Sequence, residues 1–189
     1  GHGGHDPGAM ANGVTEAELV LDVAHRLEKL LTDLGGFQVV LTRQTDDFIP
    51  LEERTAIANR RGADMFLSIH ANASRDGAAR GVETYFLNLA TNQSAAAVAA
   101  RENALSAQNM GELPGLVKAI TSNDKMKESR ELAGIVQTSL IRRMSLQNKA
   151  VKDLGVKQAP FVVLIGAQMP SVLAEISFLT NTNEALLLK

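Results

Sequence analysis

Met65-Phe66-Leu67-Ser68-Ile69-His70-Ala71-Asn72 decides how this chain is read. Met65 to Ile69 is a short apolar run of strand length, and it ends at a histidine. Before it, Leu51 to Arg61 has helical spacing and is stopped by Gly62. After it, Val82 to Leu87 is a second strand, rich in β-branched and aromatic residues. Further upstream, Phe37 to Thr42 is another β-rich run. It follows a helix opened by Thr15, with Glu18 completing a capping box, and ended by Gly35-Gly36. Leu19, Val23, Leu27, Leu30 and Leu34 give that helix one apolar stripe. Strands alternating with helices predict an α/β fold, a central and mostly parallel twisted sheet flanked by helices. Open sheets of this kind carry their sites at the carboxyl ends of strands, and His70 stands at one such end.

The remaining segments fit this frame. Residues 1–14 are Gly-rich and irregular, with Asp6-Pro7-Gly8 and Asn12-Gly13 as turn signals. The stretch from about Asn88 to Lys127, rich in Ala, Asn, Gln and Ser, reads as an inserted helical segment. Asn92 to Met110 is its main helix, Gly111 to Gly115 breaks it, and Leu116 to Ile120 adds a short turn. Glu128 to Met144 is an amphipathic helix with Leu132, Ile135, Val136, Ser139, Leu140 and Met144 on one side. Phe161 to Ile165 and Val172 to Ile176 read as buried strands, and Asn183 to Leu188 begins a last helix. The 189 residues suit a single domain carrying that insertion. Gly1-His2-Gly3 resembles the exit of a strand, so the sequence reads as part of a longer protein.

Composition narrows the function classes. A net charge of −2 gives no reason to expect nucleic acid or an anionic membrane as partner. No apolar run approaches the ~20 residues that span a bilayer. With no Trp and one Tyr, broad aromatic stacking on sugars or bases is disfavoured. The absence of cysteine removes disulfides, thiolate nucleophiles and Cys-ligated zinc.

Chemistry concentrates at a few positions. His2 lies in Gly-His-Gly-Gly-His-Asp-Pro-Gly, where glycines let backbone approach a ligand closely. Glu16 opens the first helix, and His70 ends the central strand. Two imidazoles and one carboxylate from separate segments make a candidate three-ligand zinc site with one position open for water. Each residue has a plainer account. A loop histidine is commonly solvated, an acid in a first helical turn complements the helix dipole, and Asn72 suits a turn as well as a ligand contact. Glu175 sits in the apolar run Val172-Leu173-Ala174-Glu175-Ile176. Buried carboxylates are rare unless paired or coordinating, so Glu175 is either a proton shuttle, the partner of an arginine, or turned to the outer face. For Arg43 and Arg54 the structural role is favoured. On the Asn92 to Met110 helix, Val98, Glu102 and Leu105 share one face, which sets a carboxylate in an apolar stripe beside Arg101.

Taken in order, Gly-His-Gly-Gly-His-Asp-Pro-Gly-Ala, the Thr-Glu helix start, Leu-Thr-Arg-Gln-Thr-Asp, Leu-Glu-Glu-Arg, Phe-Leu-Ser-Ile-His-Ala-Asn, Gly-Val-Glu-Thr-Tyr-Phe and Pro-Ser-Val-Leu-Ala-Glu-Ile-Ser-Phe-Leu-Thr-Asn resemble the type 3 family of zinc-dependent N-acetylmuramoyl-L-alanine amidases. The resemblance runs from the first residue almost to the last. It implies one zinc ion per chain on His2, Glu16 and His70, and Glu175 as the catalytic carboxylate. It implies peptidoglycan as substrate, cut between N-acetylmuramic acid and the L-alanine of the stem peptide. The family's first strand would lie just before Gly1. The long 88–127 insertion resembles the regulated Gram-negative amidases of septal wall splitting and daughter-cell separation, in which an added helix blocks the zinc until a LytM-type activator binds. That implies a periplasmic location, and the helix face then offers an inhibitory fourth ligand, Glu102 first and Glu112 second, with an ion pair to Arg101 as the competing account of Glu102. The competing readings are a zinc carboxypeptidase or other peptidase of the stem peptide, and a silent wall-binding module.

Overall fold

The computed structural model of the protein describes residues 1–105, 120 and 124–188. A hairpin comes first, β1 (Met10–Ala11) against β2 (Val14–Thr15). Its turn is Asn12-Gly13, both at positive φ (51° and 71°), the pairing that a tight hairpin turn requires. Helix α1 (Glu16–Leu34) follows directly, then α2 (Leu51–Arg60), β3 (Phe66–Asn72), β4 (Val82–Leu87), α3 (Gln93–Glu102), α4 (Met126–Met144), β5 (Asp153–Ala159), β6 (Ser171–Phe178) and α5 (Thr182–Leu187). No described helix is long and apolar enough to cross a membrane.

The four-strand sheet has the order β3-β6-β4-β5. β3 runs parallel to β6 and β4 parallel to β5, while β4 and β6 are antiparallel. The sheet is therefore mixed, with two of its three pairings parallel as expected and one antiparallel seam at its centre. The seam has a functional consequence: the carboxyl ends of β3 and β6 lie at the same edge as the amino ends of β4 and β5. One face packs on α4, with Phe86 and Val172 against the fully buried Ala133. The other carries the main core of Tyr85, Leu87, Phe161, Leu164 and Leu173 under α2 and α3. Leu19, Ala71 and Leu179 form a third cluster beneath α1.

Several expectations are corrected. Thr15 stands at the N-cap of α1, but its side chain makes no cap bond. The loop has already satisfied the helix start, since Ala9 O accepts from Glu16 N and Pro7 O from Ala17 N. Phe37 to Thr42 forms no strand, because it finds no partner strand among the described residues. The α1 stripe is buried only at Leu19; Leu30 and Leu34 stay exposed. On α4 the buried face is Ser129, Ala133 and Gln137 rather than the larger side chains. Ser129 Oγ accepts from Ser171 N and Gln137 Oε1 from Thr84 Oγ1, so hydrogen bonds to the sheet fix the helix's rotation and leave Ile135 outside. Phe161 to Ile165 is a 3₁₀ turn at Val162–Leu164, and the strand is the preceding Asp153–Ala159. α3 stops at Glu102, with Asn103 as C-cap, well short of Met110. Residues 106–119, including Glu112, lie outside the described residues.

Candidate metal centre

The register of the sheet sets the site. His70 on β3 pairs with Glu175 on β6, and Glu175 pairs across the seam with Glu83 on β4. Three ionisable residues thus stand in one row across three neighbouring strands. All are buried, Glu175 completely. A register shift between His70 and Asn72 bends β3 just where it leaves the sheet, a common device for re-aiming a side chain.

The 1–14 loop folds over this row. Gly1 lies flat on His70, where a Cβ would come within 2.4 Å of the ring. His2 adopts a positive φ of 52°, a conformation that L-residues reach only when their surroundings enforce it. Two arginines enforce it here: Arg54 Nη2 donates to His2 O at 2.9 Å, and Arg43 Nη2 donates to Gly1 O and Ala17 O. The structural role expected for both is observed. Gly8, at φ 65°, passes between the two first ligand candidates, 2.6 Å from His2 Cδ2 and 2.7 Å from Glu16 Oε2 at its Cβ position. Gly8→Ala is therefore expected to destabilise the protein by at least about 1–3 kcal/mol and to weaken metal uptake. Thermal melting and a zinc titration check this.

His2, Glu16, His70 and Glu102 offer one ligand atom each, all within 4.8 Å of one another, and all four residues are buried. His2 Nε2 is 3.1 Å from both Glu16 Oε1 and Glu102 Oε2. His70 lies 3.1 Å from Glu16 Oε1 and 2.9 Å from Glu102 Oε2 through Nδ1. Tetrahedral ligands at about 2.0–2.1 Å from zinc stand about 3.3 Å apart, so the set needs little expansion to take the ion. Two more observations fit a cation. His2 Nε2 and Glu102 Oε2 are buried and 3.1 Å apart yet make no well-aligned hydrogen bond, as two ligand atoms turned to one shared centre would. The outer nitrogen of His2, Nδ1, is held by Asp6 Oδ2 at 2.9 Å, and Asp6 Oδ1 accepts from Gly8 N. A carboxylate behind a ligating imidazole fixes its tautomer and orientation. Glu16 is oriented likewise, its Oε2 by Ala9 N and its Oε1 by Ala71 N, both at 2.9 Å.

The field of the site is negative. Burial disfavours a charged His2 ring, yet Asp6, Glu102 and Glu16 raise its pKa to about 11. Burial raises Glu16, but His2 and His70 bring it down to about 2. Carboxylates that hold a proton so tightly on an imidazole are suited to holding a divalent ion in its place. Glu175 moves the other way: burial first, then the charges of Glu102 and Glu16, push it well above the usual carboxylate range, against the opposing charge of Arg101. Both its oxygens lack hydrogen-bond partners.

Two residues at the site escape sequence reasoning. Glu83 accepts from Asn72 Nδ2 and Tyr85 Oη, each at 2.8 Å, and from Lys157 Nζ. The sign was present, a lone acid in Val-Glu-Thr-Tyr-Phe-Leu, but strand alternation explains such an acid equally well. Arg101 donates to Glu102 Oε1, to Asn72 Oδ1 and to the carbonyl of Ala73, and its Nη2 lies 3.8 Å from Glu175 Oε1. Glu102 therefore has both of the surroundings weighed for it: one oxygen pairs with Arg101 and the other joins the two histidines.

Comparison with known proteins agrees with the fold. The family described as N-acetylmuramoyl-L-alanine amidase matches residues 1–189. The chain is 36% identical over its whole length to the amidase AmiC of Neisseria meningitidis and 35% identical to AmiA of Escherichia coli. It spans 46% of the former and 66% of the latter. Among solved structures, an N-acetylmuramoyl-L-alanine amidase from Clostridium difficile superposes with a TM-score of 0.74 at 30% identity, covering all of this chain and 81% of that one.

Proposed function

The chain belongs to the N-acetylmuramoyl-L-alanine amidase family, and from that premise we propose that it is a zinc-dependent peptidoglycan hydrolase that cuts the amide between N-acetylmuramic acid and L-alanine of the stem peptide, in septal wall splitting in the periplasm. The observation that carries the reading is the buried convergence of His2, Glu16 and His70 beside a fully buried Glu175. Those three residues would hold a zinc ion, which would supply Lewis acidity to the scissile carbonyl and to water at neutral pH. Glu175, with its raised proton affinity, takes the proton of the attacking water and returns it to the departing alanine nitrogen. Asn72, once its Oδ1 is free of Arg101, accepts a peptide N–H and orients the substrate, its amide held in place by Glu83.

Glu102, beside His2 and His70, would join the residues that hold the ion, and an enzyme so plugged would be self-inhibited. α3 carries the plug, and a LytM-type partner that draws α3 away is the activator. Glu102 is buried, and Val98 and Ala99 on the same helix pack into the main core, so the partner's binding must offset the loss of those contacts.

Digestion of purified peptidoglycan by the Glu102→Ala protein tests the reading. Mass spectrometry should find intact stem peptides and uncut glycan. A chelator should stop the release and zinc should restore it. Single amino acids in place of stem peptides would make the protein a carboxypeptidase, and no product with zinc bound would make it a wall-binding module. In the same assay His70→Ala should lose metal and turnover together.

A further inference from the structure

Beside the metal centre lies a larger groove of about 1260 Å³, and the two cavities share Ala73 and Arg101 as their common wall. The groove's other cations are Arg75, Arg80, Lys152 and Lys157. Its acids are fewer, and they are engaged: Glu83 holds Lys157, and Asp76 accepts from Ala78 N within its own loop. Arg75, Arg80 and Lys152 have no carboxylate within ion-pair distance among the described residues. A concave wall with unpaired cations is a site of positive potential, and potential in a cleft is focused rather than dissipated.

The geometry points to this groove as the subsite that reads the free carboxylates of the stem peptide, with Arg80 and Lys152 as the charge-reading pair. The inference rests on the amidase reading and gives its substrate a direction. At the scissile amide the substrate divides into a sugar half and a peptide half that carries free carboxylates. Only the peptide half complements a cationic trough. Glu83 links the two regions, since it holds Lys157 on the groove side and Asn72 on the metal side. Arg101 is the partition. While it spans Asn72 and Ala73 the groove is walled off from the metal centre, and its departure with Glu102 joins the two into one trough.

The test is a calorimetric titration of the intact Glu102→Ala protein with a stem tripeptide, L-alanine, γ-linked D-glutamate and a diamino acid, as the free acid and with its carboxylates converted to carboxamides. The free acid should bind more tightly, with affinity falling as salt rises. The double variant Arg80→Glu/Lys152→Glu should lose roughly tenfold in affinity for the free acid and the preference over the carboxamide. Lys127→Glu, a charge change outside the groove in the first turn of α4, should leave both unchanged. Equal binding of the two peptides, or a preference that survives the double reversal, overturns the inference, as does no binding of either. Amide cleavage is read separately by mass spectrometry. Charge-dependent binding without cleavage leaves the groove standing and removes the amidase reading; cleavage indifferent to peptide charge does the reverse.

Discussion

Glu175→Gln should lower amide hydrolysis by about 10²–10⁴-fold, the range that a positioned general acid–base contributes, while zinc content stays at one ion per chain. The residue is suited to the task because it is badly housed. It is wholly buried, and among the described residues neither oxygen has a hydrogen-bond donor and Arg101, at 3.8 Å, is the cation paired with it. Glutamine keeps the shape and removes the charge, so the same change should stabilise the metal-free protein. The sign follows from linkage. The native pKa of Glu175 is raised above the ordinary 4.5, so above that pH the native state holds its proton more strongly than the unfolded chain does, and stability falls as pH climbs toward the native value. The melting temperature of Glu175→Gln should therefore exceed that of the natural protein at pH 7, by roughly 2–4 °C per kcal/mol relieved, and the gain should vanish below about pH 4. Near-normal rates in the variant would take the base assignment away from Glu175. Loss of zinc along with activity would recast it as a ligand.

Glu102→Ala should act in the opposite direction, raising the activity of the unpartnered protein by about 10–100-fold, the span of ordinary allosteric couplings. The carboxylate sits among His2, His70 and the Arg101 guanidinium, and although burial disfavours its charge, the two imidazoles, His70 first, hold its affinity for a proton well below normal. Such a group is a strong competitor for the fourth position of a metal. Alanine cannot compete, and the partition that Arg101 builds loses its neighbour. Dye release from labelled peptidoglycan, with and without an activating partner, measures the effect. Unchanged basal release with an unchanged need for the partner would remove Glu102 from the inhibitory role.

Much of the fold is legible in the sequence because periodicity reports burial. α2, β4 and the apolar β3 and β6 fall within a few residues of their expected spans. The failures share a cause. Asp153–Ala159 is an edge strand, half polar and interrupted by Gly155, so nothing in its pattern separates it from a loop. Phe37 to Thr42 has a strand's composition and no strand beside it among the described residues. α4 carries its large apolar residues on one side, yet Ala133 and two hydrogen-bonding side chains face the sheet, because close approach and satisfied polar groups outweighed raw hydrophobicity there.

For the site, residue type marks His70 and Glu175 as candidates, since a histidine at a strand end and an acid inside an apolar strand are costly unless they are used, while His2 and Glu16 join them through the resemblance of the ordered motifs. What the order of residues leaves open is distance. Gly1 against His70, the positive φ of His2 and the two arginines behind it are properties of packing, and they alone bring a loop, a helix start and a strand end within one ion's reach. Glu83 and Arg101 become meaningful only in three dimensions. The antiparallel seam puts the start of β4 beside the end of β6, and α3 lays a guanidinium across the ends of β3 and β6. Local sequence chooses which groups can do chemistry; the sheet's register chooses which of them meet, because electrostatic and coordinate interactions act over a few ångströms, whatever the separation along the chain.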